Sequence, residues 1–589
     1  MNLSHTPLRR ALALALCAGL AGTLLPASAA SLPQFKALDP GRVEMPGADG
    51  RRTSANDLPG TLRTAPGSAT PSGPLIDADK TPQMPATHSR PFLVRQVLLE
   101  GATSYPPSTF RPLLASLEGR KVTLAEVNAV AAKITRRYRE AGFPLVRTFV
   151  PVQRLDEGVL RLRVVEGRVN QVEIRGESSR AMRAYAENIQ QEAPLKRSTL
   201  ERNLLLMNDL PGNQVHGTLS ASPAREGTDL TADNSEFKRW DGFIGADNRD
   251  SRYFGPWQAY GGVGLNNPLG LGDRLSVRYG HSLEGNEMAF YEGQYELPVN
   301  ARGTTLSLLA QHNDGHADTF SFLNAKSSGD TFVARVTHPW VRSRAENFNT
   351  SLAFTWFNGK SRYFDDADLP PSSDDRIRAL RLGASYDFVD QYGGRNLFKA
   401  ELSQGLDVMG ASRESRLNPS RYEGQTDFTK LQFDAQRLQD MSWITEGLNL
   451  YLAMTGQTSF GDALLTPEQF GVGGSQFGRG YDPSEISGDK GLAGKVELQY
   501  NRYHEFFQYP VPTQYYGYWD VGKVWSEKPR YVNSESLASA GFGAHFQVAS
   551  DTYVSPEMAF PLTRSVSAEE LHDKNGKSPR VYLNLLKLF

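Results

Sequence analysis

Two stretches of the chain carry residue types that could do chemistry. In "HNDGHAD", His312, Asp314, His316 and Asp318 fall on alternate positions, and imidazole with carboxylate is a donor set that holds transition metals. The run leads into a long polar loop, and no second histidine cluster accompanies it, so a solvated strand end is the plainer reading. In "GRGY", Arg479 stands between Gly478 and Gly480 and before Tyr481, in a long polar loop between two strand-like runs. A planar guanidinium takes a carboxylate bidentately. Flanking glycines allow conformations or close approaches that a β-carbon obstructs.

Other chemistry is missing from the pattern. No strand-associated Gly-x-Ser-x-Gly, phosphate loop or helical His-Glu-x-x-His occurs. Neither an enzyme, a nucleotide site nor a cofactor is therefore expected. The single cysteine, Cys17, lies within the apolar run Ala11 to Leu25, after Arg9 and Arg10 and before Pro26 and "ASAA". That is the grammar of a cleaved signal peptide, expected over residues 1–30. The mature chain would then hold no disulfide, thiolate nucleophile or cysteine-ligated zinc. The formal charge of −1 includes Arg9 and Arg10, so no basic surplus points to nucleic acid. Residues 31–91 are rich in proline, glycine, serine and threonine without apolar periodicity, and read as a flexible linker or tail.

The elements that would position Arg479 come in two kinds. "VRQVLLEG" (Val94 to Gly101) returns as "VNQVEIRG" (Val169 to Gly176), which marks two copies of one small domain, 92–167 and 168–236. Each copy reads as β-α-α-β-β, with strands ending at glycine and helices patterned at three- and four-residue steps. From residue 237 to 589 the period changes to two. Sixteen short alternating runs follow, among them 331–340, 347–358, 377–388, 494–502 and 515–524. In 494–502, Val496, Leu498 and Tyr500 oppose Lys495, Glu497, Gln499 and Asn501. Tight turns such as "PVNARG" alternate with long loops, the longest at 458–493. An even count of strands near ten residues each, with short turns at one end and long loops at the other, describes a closed antiparallel membrane barrel with a wet lumen. Trp257, Tyr260, Tyr515, Tyr516, Trp519 and Trp525 near strand ends are expected in interfacial belts. Phe589 closes the sequence as barrel chains often end, with Lys587 interrupting the alternation.

The repeats resemble polypeptide-transport-associated (POTRA) domains. Two of them, a sixteen-run barrel and "GRGY" in the loop between the eleventh and twelfth runs resemble the transporters of two-partner secretion (the TpsB class). That class belongs to the superfamily of outer-membrane insertases and secretion channels. The resemblance implies an outer-membrane pore with periplasmic POTRA domains, which passes a large unfolded exoprotein of the adhesin or hemolysin kind to the cell surface. It also implies that the long loop folds back into the barrel, where Arg479 pairs with an inner-wall aspartate in a D-x-G motif. "YWDVG" offers Asp520 and Gly522, and alternation puts Asp520 on one face with Tyr516 and Tyr518. Gly478 departs from the commoner form, in which a valine or isoleucine precedes the arginine. Cargo is expected at exposed POTRA edges by strand addition, with candidates Leu145, Val146, Arg147, Phe149 and Val150, and Val215, Gly217 and Leu219. An assembly factor of the same superfamily and a passive porin are the alternatives.

Overall fold

The computed structural model describes residues 76–78, 91–154, 158–222, 227–253, 255–284, 288–316, 325–362, 371–412, 418–421, 423–506, 509–528, 533–570 and 575–589. The expected signal peptide, most of the expected linker, and Asp318 lie outside them.

The two α+β units share one topology. In the first, β3 (Gln96–Glu100) leads through helices α1 (Arg111–Ala115) and α2 (Leu124–Glu140) to β5 (Arg147–Phe149) and β6 (Val159–Val165), in the order β3-β6-β5. A small pair, β2 (Phe92–Val94) with β4 (Arg120–Val122), is added to it. Helix α2 starts at a reciprocal cap: the Glu126 amide donates to Thr123 Oγ1, and Glu126 Oε2 accepts from the Thr123 amide. Its buried stripe, Val127, Val130, Ile134 and Tyr138, packs on Leu160 and Leu162 of β6.

In the second unit, β7 (Val169–Gly176) leads through α3 (Arg180–Gln191) and α4 (Arg197–Asp209) to β8 (His216–Ala221) and β9 (Thr228–Asn234), in the order β7-β9-β8. The outer edge of β8 is not free. Strand β1 (Ile76–Ala78) runs parallel along it, with Ile76, Asp77 and Ala78 opposite Gly217, Thr218 and Leu219. Residues 76–78 fall within the stretch 31–91 expected as a flexible linker or tail. Three residues are too short for any periodicity to show.

Sixteen antiparallel strands then close on themselves. They are β10 (Trp240–Asp247), β11 (Gln258–Asn266), β12 (Arg274–Ser282), β13 (Met288–Pro298), β14 (Thr305–His316), β15 (Lys326–Arg342), β16 (Glu346–Arg362) and β17 (Ser373–Val389). After them come β18 (Gly394–Gly405), β19 (Thr429–Asp440), β20 (Leu448–Thr458), β23 (Lys490–Phe506), β24 (Tyr509–Trp525), β25 (Ser534–Ala549), β26 (Thr552–Pro561) and β27 (Arg580–Leu588). Strand β27 pairs with β10, Leu588 opposite Phe243, so no edge is left. On β23 the expected faces hold: Glu497 and Gln499 are buried in the lumen, while Val496 and Leu498 face outward.

Two expectations need correction. Strands β15, β16, β17, β23 and β24 each run 17 residues, well beyond the expected spans. Past the apolar belt both faces are wet, so alternation vanishes from the sequence while the ladder continues. Tyr516 and Tyr260 do not belong to the belt. Tyr516 is buried in the lumen beside Tyr518, and the Tyr260 hydroxyl accepts from Asn584 on the inner wall. Trp257, Tyr515, Trp519 and Trp525 are exposed.

Candidate functional site in the barrel lumen

Residues 459–489 leave β20 and return to β23 through the lumen. Within them β21 (Phe470–Val472) pairs with β22 (Ile486–Gly488) as a hairpin, and its tip carries Arg479. Three glycines shape the tip: Gly473, Gly474 and Gly478 have φ of 125°, 91° and 80°, values that glycine alone adopts readily. A β-carbon on Gly480 would meet the backbone of Pro561 at 2.9 Å and of Phe560 at 3.0 Å. Gly522 serves the wall in the same way, since a β-carbon there would lie 2.5 Å from Val472.

Arg479 is 3% exposed and meets two carboxylates that are fully buried. Its Nε and Nη2 donate to Asp520 at 3.0 and 2.9 Å, and Nη1 donates to Glu497 at 2.7 Å. The amides of Gly478 and Arg479 donate to the same Asp520 oxygen at 3.2 and 3.1 Å. Gln499 fills the other oxygen of Glu497 at 2.8 Å. The guanidinium also lies over the Tyr518 ring, 3.3 Å from its centre. Buried charge is costly unless its hydrogen bonds are met, and here each partner is engaged several times. The site is therefore a rigid clasp between loop and wall.

Further contacts extend it. Tyr518 and Tyr516 donate to Glu557 at 2.9 and 2.7 Å, and Glu557 also pairs with Arg249 at 3.0 Å, just past β10. The Tyr481 hydroxyl accepts from the Arg564 amide at 3.2 Å, Asp482 pairs with Arg580, and Glu485 accepts from the Ser567 amide at 2.9 Å. Those partners tie the tip to the loop between β26 and β27 and to the first residue of β27. Lower down, Glu468 pairs with Arg381 and Lys430, both at 2.6 Å. Sequence reasoning set Glu497 on the luminal face of its strand but missed it as a partner, because the register of β23 against β24 is not written in either strand. Glu557 and Glu468 carried no local signal.

A family model described as "Haemolysin secretion/activation protein ShlB/FhaC/HecB" matches residues 226–546, more than half of the chain. The chain belongs to this family. A second model, the ShlB-type POTRA domain, matches residues 92–167. The heme/hemopexin transporter protein HuxB of Haemophilus influenzae (strain 86-028NP) is 21% identical over 88% of this chain and 92% of its own length. The hemolysin transporter protein ShlB of Serratia marcescens is 25% identical over 76% of this chain and 77% of its own length. Among solved structures, CdiB from Escherichia coli superposes with a TM-score of 0.69 at 21% identity, covering 88% of this chain and 94% of that one. This ShlB/FhaC/HecB-family protein is an outer-membrane transporter of two-partner secretion, with its POTRA units in the periplasm.

The transporter's second POTRA unit is fastened under the short turns of the barrel. Arg342 pairs bidentately with Asp209, both bonds 2.7 Å. Arg202 donates to the carbonyls of Arg302 and Pro339 at 2.9 and 2.6 Å, and Asn188 to that of Ala301 at 2.7 Å.

The candidate cargo edges divide. In the first unit Val146 is buried, Leu145 and Val150 are partly buried against the cores, and Arg147 and Phe149 are exposed on the edge strand β5. The Thr148 amide of that edge is capped by Thr135 Oγ1 at 3.0 Å. In the second unit Val215 is fully buried, Gly217 is buried, and Leu219 packs against the core.

His312 and Asp314 stand on the outer wall of β14. Both ring nitrogens of His312 face carboxylates, Nδ1 with Asp330 at 2.7 Å and Nε2 with Asp314 at 2.9 Å. Among the described residues, no group of three or more His, Cys, Asp or Glu side chains is arranged to hold a metal.

Proposed function

We propose that this transporter takes a large exoprotein, unfolded in the periplasm, and passes it through the barrel past the clasped loop, carrying out no reaction of its own. The observation that supports this best is Arg479, buried between Asp520 and Glu497 at the tip of a loop that enters a closed sixteen-strand barrel. Such a clasp gives the loop one resting position along the lumen. The cargo is kin to what the relatives' names announce, hemolysins among them. Folding of the cargo outside opposes its return, which suits a chain without a nucleotide motif.

Cargo first meets the POTRA sheets by strand addition. Two edges stand out. Strand β5 offers Arg147 and Phe149, while β8 is occupied by Ile76–Ala78, so cargo docking on β8 exchanges with a strand of the chain itself. Arg479→Ala tests the reading. The expected result is a full complement of inserted, heat-modifiable barrel with the partner exoprotein held in the periplasm. Export at the normal rate would overturn it. A barrel that inserts other outer-membrane proteins, with no effect on any exoprotein, would favour the assembly-factor alternative.

A further inference from the structure

The seat of Arg479 extends over more strands than the one that carries Asp520. Asp520 and Glu497 take Nε, Nη1 and Nη2 of the guanidinium within its own plane. Bonds in that plane do little to resist tilting out of it. Across the face lies the Tyr518 ring, 3.3 Å from the guanidinium carbon to the ring centre. Whatever holds Tyr518 flat therefore holds the clasp.

Tyr518 is held from two strands away. Its cross-strand partner on β25 is Gly541, and that of Tyr516 is Gly543. A β-carbon on Gly541 would collide with the Tyr518 hydroxyl, and one on Gly543 with the Tyr516 hydroxyl. Glycine inside a strand weakens it and marks a close approach, and here the approaching groups are two phenol rings that cross β25. They reach Glu557 on β26, directly opposite Gly543. Ala559, opposite Gly541 and fully buried, packs with both rings.

Tyr518 donates to Oε1 of Glu557 at 2.9 Å and Tyr516 to Oε2 at 2.7 Å. Arg249 completes the carboxylate, with Nη2 on Oε2 at 3.0 Å and Nη1 on Oε1 at 3.4 Å, while its guanidinium lies 4.7 Å over the Tyr582 ring of β27. Each oxygen thus accepts from one phenol and one guanidinium nitrogen. A glutamine in this place would turn an amide donor toward one of the tyrosines. Arg249 alone would balance the charge of Glu557, so the two tyrosines and the two glycines beneath them serve something besides neutrality.

We propose that Glu557 is a positioning residue of the loop clasp. It acts through Tyr518, holding that ring across the face of Arg479, and Arg249 holds Glu557 in turn. The seat of the loop is thereby set by β24, β25 and β26 together with the segment just past β10. The inference rests on the reading that the seated loop serves export, and its test separates the two.

The test is hydrogen exchange by mass spectrometry on the full-length transporter in detergent micelles, read at the peptide carrying the Gly478 and Arg479 amides, which donate to Asp520. Glu557→Gln is expected to speed exchange there about tenfold, near 1.4 kcal/mol, while the ladder amides of β24 and β26 keep their protection. Tyr518→Leu, which removes the ring, should do the same, and the double variant should be no faster than Tyr518→Leu alone. Arg249→Met with Glu557→Leu takes out both charges together, so none is stranded, and its loop tip should exchange as fast as that of Glu557→Gln. If Glu557→Gln does not insert, this pair decides alone. Unchanged tip exchange in either, increments that add in the double variant, or a rise shared equally by the β24 and β26 ladders would overturn the positioning role. Fast tip exchange with normal export would leave that role standing and overturn the part given to the clasp in export.

Discussion

Two segments of this transporter are laid against sheets from which they do not directly continue, and they are held in opposite ways. The luminal loop is fixed by charge. Arg479, Asp482, Glu485 and Glu468 are each engaged by partners on the wall or the neighbouring loop, and Arg479 is almost fully buried. Strand β1 rests on β8 through three residue pairs of backbone. Breaking a buried, multiply bonded ion pair leaves stranded charge, whereas one short edge strand can be replaced by another of almost any sequence. On the reading proposed above, the difference separates a part that holds its place from a part that cargo exchanges with.

The largest effect is expected where that contrast is strongest. Asp520→Ala leaves Arg479 with Glu497 alone, and Arg479→Ala strands Asp520 and Glu497, the latter at a cost of about 3–5 kcal/mol to the docked loop. Exoprotein in the culture medium should fall to background while the barrel still inserts. A smaller effect, of opposite sign, is expected at the exchangeable segment. Replacing Ile76, Asp77 and Ala78 by prolines removes the backbone donors of β1, and binding of the exoprotein's secretion segment to the full-length transporter should tighten about tenfold, near 1.4 kcal/mol by calorimetry. Unchanged affinity would show that β8 is not where cargo docks.

The junction beneath the barrel comes next. Asp209→Ala leaves the largely buried Arg342 side chain without its bidentate partner, at about 1–3 kcal/mol. Protease cleavage between the second POTRA unit and the barrel should quicken while the clasp is untouched. The smallest effect is on pH dependence in the first POTRA unit. Burial pushes the Glu166 carboxyl up, but hydrogen bonds from Thr103, Ser104 and Tyr138 outweigh it and hold the group below the usual carboxylate range. A depressed carboxyl stabilises fully above its unfolded pKa, and that contribution is lost as pH falls through the folded value. The protection of the Ser104 amide, which donates to Glu166 at 2.8 Å, measured against the intrinsic exchange rate at each pH, should therefore fall on acidification below the ordinary carboxylate range. Glu166→Gln should flatten that dependence.

Much of this architecture is legible in the chain because lipid enforces it. The alternation of Val496 and Leu498 with Glu497 and Gln499 is obligatory where one face meets hydrocarbon and the other water, so sixteen strands could be counted. The same rule explains what was misread. Beyond the belt nothing enforces alternation, and the outer ends of β15, β16 and β17 looked like loop. Tyr516 was assigned to the belt by residue type although its parity with Asp520 placed it inside. Arg479 could be matched to Asp520 through the family motif, but Glu497 and Glu557 enter the network only through cross-strand register, which short-range pattern does not encode. Strand β1 was invisible because its pairing is made by backbone.

The most direct test of the clasp is a double-mutant cycle on export, comparing Arg479→Ala, Asp520→Ala and the pair together. If the two side chains act through each other in the lumen, each single variant loses export and the double variant is no worse than either. If the losses add as independent effects, or either single variant exports normally, Arg479 and Asp520 do not form the functional unit described here.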